Sequence, residues 1–217
     1  MEIWKPVNQA IRIAESIVIA LVTMLYLLGC YDVITTSGIS VRLYLLTTSF
    51  YYYITCLIKS PGQLLDFGTA NVKGICKKCN RIVGTRTVHC EICNKCYHRR
   101  DHHCPIIGRC VASNNTNDLY LTIVFANLYS IATLLQNSPH VLKAFVHKYL
   151  FAISAWFVFW FTLLVATDKT TQELLRRKGK ALKDLKIRRL KDVFRAGIVQ
   201  TLVPYLSHKI SVVNDGC

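Results

Sequence analysis

Acidic residues are scarce in this sequence: twelve Asp and Glu stand against 27 Lys and Arg among 217 residues, a formal charge of +15. Charge of either sign is also sparse, at 18% of residues against 52% hydrophobic, which excludes an intrinsically disordered chain. No internal repeat and no low-complexity run is visible, so the chain reads neither as a repeat array nor as a biased linker. Length alone would suit one or two compact domains, at roughly 100 to 200 residues each. A strongly basic balance in so apolar a chain requires the two kinds of residue to be segregated along it.

The apolar residues gather in four stretches, at 13–31, 41–58, 119–135 and 150–166. Each approaches the roughly 20 residues that a helix needs to cross a hydrocarbon core of about 30 Å, so four membrane spans are expected. Asn127 in the third stretch reads as a helix-to-helix hydrogen bond. The first stretch resembles a secretory signal, but it is long, carries Glu15 and is followed by three more, so it is expected to be retained. Four spans put both termini and the 59–118 segment on one side. That side carries 24 Lys and Arg, against only Arg42, Lys143 and Lys148 on the other, which places it in the cytosol by the positive-inside rule. Cytosolic thiols stay reduced, so structural disulfides are not expected.

Seven of the ten cysteines fall between Cys76 and Cys110, in the string Cys76-x2-Cys79-x9-His89-Cys90-x2-Cys93-x2-Cys96-x4-Asp101-His102-His103-Cys104-x5-Cys110. Interlocked Cys-x2-Cys pairs with intervening histidines point to zinc, since a tight turn lets two thiolates meet one tetrahedral ion. Two closed sites need eight donors, and Cys76, Cys79, Cys90, Cys93, Cys96 and Cys110 with two histidines supply them, leaving one thiol over. Adjacent His89 and Cys90 point to opposite faces of an extended backbone, so they are expected to serve different ions. Cys104, following Asp101, His102 and His103, has a base and an orienting carboxylate at hand, the parts of an activated nucleophile. Taken alone, a Cys-His pair beside zinc ligands is more often a further ligand set.

With these motifs the sequence resembles the DHHC family of integral-membrane protein S-acyltransferases. The resemblance implies two structural zinc ions, one on Cys76, Cys79, His89 and Cys96 and one on Cys90, Cys93, His103 and Cys110. It implies Cys104 as nucleophile, His102 as its base and Asp101 as the residue orienting that base, with fatty acyl-CoA, such as palmitoyl-CoA, as donor and cysteines of other proteins as acceptors. Supporting motifs are Ser60-Pro61-Gly62, with serine at the family's acidic position, Thr170-Thr171-Gln172-Glu173, and Asn115. The plain reading of the Thr-Thr-x-Glu motif is a helix cap with capping-box spacing. Ile106, Arg109, Leu119 and Thr201 depart from the family pattern, which bears on the shape around the thioester and the docking of the tail.

The expected architecture is therefore an all-α polytopic membrane protein with four transmembrane helices and a cytosolic cysteine-rich double-zinc module. Its parts are a first hairpin (1–58), the zinc module (59–118), a second hairpin (119–167) and a basic tail (168–217) whose 174–194 segment reads as an amphipathic helix on an anionic leaflet. The expected location is an endomembrane (ER or Golgi) or the plasma membrane, with membrane lipid as a partner and no nucleic acid. The alternative is a membrane zinc scaffold or trafficking adaptor without catalysis. Oligomeric state, protein substrates and acyl-chain preference are not encoded in any motif.

Overall fold

A computed structural model describes residues 4–37, 40–62, 72–135 and 141–176. Four long helices, α1 (Trp4–Ser37), α2 (Val41–Ile58), α3 (Thr116–Leu134) and α4 (Val141–Thr167), are followed by a short α5 (Thr171–Arg176). Their positions follow the apolar stretches, with α1 and α4 beginning well ahead of the expected spans. Two segments, Val7–Thr36 and Ala144–Thr167, are long and apolar enough to cross a membrane. Along α1, Ile13, Ile17, Leu21, Leu25 and Leu28 are all exposed. Spacings of three and four residues put them on one side of the helix, a stripe suited to lipid rather than water.

Within the bundle α1 packs on α2, α2 on α3 and α3 on α4. Leu45, Tyr52, Tyr53, Phe125, Phe161 and Leu164 fill the centre, and Tyr52 stacks on Phe125 with ring centroids 5.9 Å apart. Two hydroxyl pairs cross between helices there: Tyr26 with Ser49 at 2.8 Å and Tyr120 with Thr162 at 2.9 Å. Asn127 Nδ2 donates to Ser154 Oγ at 3.0 Å and to the Phe151 carbonyl at 3.3 Å, the interhelical role expected of it.

The all-α expectation fails between α2 and α3. Among the described residues of that region are six short strands: β1 (Val72–Cys76), β2 (Arg81–Gly84), β3 (Thr87–Cys90), β4 (Lys95–His98), β5 (His102–Cys104) and β6 (Arg109–Val111). They pair in order as three antiparallel ribbons. Metal ligands separated by tight turns leave arms of three to five residues, too short to display the apolar alternation by which a strand is read from sequence. The amphipathic helix expected at 174–194 lies, from 177 onward, outside the described residues, as does Thr201.

Candidate functional site

The ribbons set the ligands in place through their register. On β3 and β4, His89 lies opposite Cys96; on β5 and β6, His103 lies opposite Cys110. Each cross-strand pair meets a Cys-x2-Cys knuckle, Cys76 and Cys79 for the first, Cys90 and Cys93 for the second. Asn80 and Asn94, each directly after the second cysteine of its knuckle, adopt φ of 50° and 52°. Asparagine tolerates this left-handed backbone better than most residues, which explains its presence at both turns. His89 and Cys90 fall in different quartets, so the sites interleave as adjacency on an extended strand predicts.

The quartets also carry a regular offset, although the chain as a whole shows no internal repeat. Each ligand of the second, Cys90, Cys93, His103 and Cys110, follows its counterpart in the first, Cys76, Cys79, His89 and Cys96, by 14 residues. In each quartet one donor atom per residue lies within 4.8 Å of the others. Three thiols and one imidazole form a complete tetrahedral donor set of the kind zinc takes, so both quartets fit a structural zinc ion and leave no ligand position open. His103 Nδ1 faces the sulfurs of Cys93, Cys90 and Cys110 at 3.2, 3.7 and 3.8 Å.

Cys104 belongs to neither quartet. It ends β5, is 6% exposed, and joins the apolar cluster of Tyr52, Tyr53, Leu119, Phe161 and Leu164 beneath the module. The turn that follows is fixed from the bundle side, where the Tyr53 hydroxyl donates to the Ile106 carbonyl at 3.1 Å. His102 Nδ1 lies 2.7 Å from Asp101 Oδ2. The same carboxylate accepts the Thr171 hydroxyl at 3.0 Å on Oδ2 and the Thr171 backbone N–H on Oδ1. Burial alone would raise the Asp101 carboxyl, but hydrogen bonds from His102 and Thr171 overcome it and hold it below its ordinary range. Burial disfavours imidazolium at His102, yet bonding to Asp101 and Cys104 prevails and lifts it to about 9. Burial pushes the Cys104 thiol up, and hydrogen bonding and charge from His102 with two backbone N–H groups pull it lower.

Thr170 and Glu173 form the capping box that spacing suggests: Glu173 N–H donates to Thr170 Oγ1 at 3.3 Å, and Thr170 N–H to Glu173 Oε2 at 3.0 Å. The motif does more than cap, because Thr171 reaches Asp101 from this turn. Arg86, in the turn between β2 and β3, grips Glu173 from Nε and Nη2 at 2.8 and 2.7 Å and donates to the Asp168 carbonyl at 2.6 Å. Arg99 also pairs with Asp168. Asn115 is fully buried and ties β6 to α3 by accepting from Ala112 N–H at 2.9 Å and donating to the Cys110 carbonyl at 3.0 Å. At Gly62 (φ 98°) a Cβ would lie 2.7 Å from Ser113 Oγ, so the Ser60-Pro61-Gly62 turn needs glycine to seat against the loop before α3. Sequence reasoning missed Arg12, Arg86, Arg99 and Asp168 as partners of this assembly. Glu15 alone left a signal, as a carboxylate inside an apolar run.

A model of the DHHC palmitoyltransferase family matches residues 70–178. No curated protein matches the chain. The matched segment runs from the first ribbon to the end of α5, so it holds both quartets, Cys104 and the Thr171 contact with Asp101. It spans half of the sequence, and the chain belongs to the DHHC palmitoyltransferase family.

Proposed function

We propose that the chain is a protein S-acyltransferase in which Cys104 carries the acyl group. The observation that carries this reading is the line Thr171, Asp101, His102, Cys104, which ends at a thiol facing the apolar interior of the bundle. In the first step the Cys104 sulfur attacks the thioester carbonyl of a fatty acyl-CoA; the new C–S bond forms as the bond to the CoA sulfur breaks, and CoA leaves with the proton held by His102. In the second step His102 takes the proton of an acceptor cysteine, whose sulfur attacks the acyl-enzyme and releases Cys104. Thioester is exchanged for thioester in both steps, so no nucleotide is consumed. Asp101 fixes which ring nitrogen of His102 bears a proton and stabilises the imidazolium.

Zinc on the two quartets would supply structure, holding β5 and its neighbours in register with no open coordination position for chemistry. Four helices crossing the membrane would let the bundle shelter the acyl chain, at about 0.8 kcal/mol per buried CH₂. The distribution of Lys and Arg favours a cytosolic module and cytosolic termini. Purified protein incubated with labelled palmitoyl-CoA is expected to acquire hydroxylamine-sensitive label, and Cys104→Ser to acquire none while keeping about two zinc ions per chain. Equal labelling of Cys104→Ser would remove Cys104 as the acyl carrier. Absence of label on the wild-type chain would favour the scaffold reading.

A further inference from the structure

The N-terminal part of α1 carries a buried acid that the two-step reaction does not use. Glu15 is 3% exposed, and glutamate is almost never so buried unless paired. Its Oε1 lies 2.5 Å from His103 Nε2, and its Oε2 accepts from Arg12 Nη1 at 3.3 Å. His103 turns its other nitrogen, Nδ1, to the three thiols of the second quartet. Carboxylate, imidazole and metal position thus lie in series, the order in which an outer-shell acid fixes the tautomer of a zinc-bound histidine and raises its basicity.

Neighbouring contacts hold the acid in register. Arg12 forks onto the carbonyl of Ile92, inside the Cys90–Cys93 knuckle, at 3.2 Å, and onto that of Gly108, in the β5–β6 turn, at 2.9 Å. Gly108 has φ 60°, and a Cβ there would lie 3.0 Å from Ile19 Cδ1, so glycine is what lets α1 approach this turn. At about 1.5 Å per residue the 34 residues of α1 reach roughly 51 Å, long enough to fill a hydrocarbon core of about 30 Å and still extend into the module. The first quartet lacks such a bond among the described residues: His89 Nε2 makes no hydrogen bond, and the exposed Glu91 faces it only at 3.9 Å.

We propose that Glu15 is the outer-shell carboxylate of the metal site formed by Cys90, Cys93, His103 and Cys110, a positioning residue through which α1 fixes the strand that presents Cys104. The consequence for Cys104 rests on the acyltransferase reading; the metal role does not. The test uses the full-length zinc-loaded protein in detergent, challenged with a chelator while N-ethylmaleimide pulses report by peptide mass spectrometry which cysteines have been released. Glu15→Gln is expected to speed labelling of Cys90, Cys93 and Cys110 by about 10-fold or more, as loss of an outer-shell partner does. Cys76, Cys79 and Cys96 should label at the wild-type rate, and Glu15→Asp should fall between wild type and Glu15→Gln. Arg12→Ala, which keeps the carboxylate, is expected to do less than Glu15→Gln.

Equal acceleration in both quartets, no acceleration in either, or an Arg12→Ala effect as large as that of Glu15→Gln would overturn the proposal. Should Glu15→Gln not fold, Glu15→Asp in the same assay decides, an unchanged release rate for the second quartet overturning it. Acylation is not read here, so a wild-type chain that never takes label on Cys104 would sink the acyltransferase reading and leave this result standing.

Discussion

The two metal quartets share one construction, a knuckle closed by an asparagine in left-handed backbone and a histidine paired across a ribbon with a cysteine, yet their surroundings differ. In the first, only Cys96 is buried, and a solvent-facing pair between Lys78 and Glu91 stands beside it. In the second, Cys90 and Cys110 are buried, and Arg100 donates to both sulfurs, at 3.6 and 3.2 Å. A zinc ion with three thiolates and a neutral imidazole carries a net negative charge, so a half-buried guanidinium against those sulfurs offsets it. The second histidine also has Glu15, and the residue after it is Cys104. Identical ligand chemistry thus serves two purposes, a peripheral clip and a hub joining α1, the knuckle and the candidate nucleophile.

The most damaging way to probe this difference is to remove a hub ligand. Cys110→Ala is expected to abolish autoacylation and to lower the yield of folded protein, because Cys110 is fully buried and its loss leaves the rest of the quartet uncompensated. Separating chemistry from metal comes next: His102→Ala should keep both zinc ions while slowing autoacylation by about 10²- to 10⁴-fold. The sign of the pH effect follows from the hydrogen bond and charge that His102 gives Cys104. Without them burial prevails, the thiol pKa rises, and the pH midpoint for alkylation of Cys104 by iodoacetamide must move upward; a midpoint that moves down or stays fixed would contradict it.

A smaller effect is expected at the clip. Cys79→Ser should reduce zinc content to about one per chain by metal analysis yet retain measurable autoacylation; if it is as inactive as Cys110→Ala, the two quartets are functionally equivalent and the distinction collapses. The smallest effect is expected from Arg86→Ala, which releases Glu173 from the guanidinium while Arg99 still holds Asp168 and the Thr170 cap persists. Autoacylation should fall by about 10-fold, with zinc content unchanged.

What the sequence disclosed and what it hid divide along this same line. Interleaving was legible, because adjacent residues on a strand diverge, whereas the sharing of particular histidines and cysteines between the two sites followed from the family resemblance and not from spacing. Asp101, His102 and Cys104 stood out as a local cluster, but their spacing alone pointed more readily to a further ligand set, and the roles expected of them came from the resemblance. Strand pairing was not legible, since ribbons this short are specified by the ligands they carry rather than by apolar alternation. Nor were the partners of Arg86 and Glu15, which lie 87 and 88 residues from their contacts; such bonds are set by where helices and turns meet, and no local pattern encodes them. Glu15 could be noticed as a misfit in an apolar run, but its bond to His103 required the approach of α1.

The bond between Thr171 and Asp101 spans 70 residues and crosses both later helices. During synthesis the thiol and all eight metal ligands leave the ribosome well before Thr171 does. A nascent chain ending ahead of α4 therefore contains all eight quartet residues, Asp101, His102 and Cys104, but not the Thr171 that holds Asp101. Thr171 can therefore hold Asp101 only once the last long helix has been made, so the orientation of His102 depends on the part of the bundle that is synthesised last.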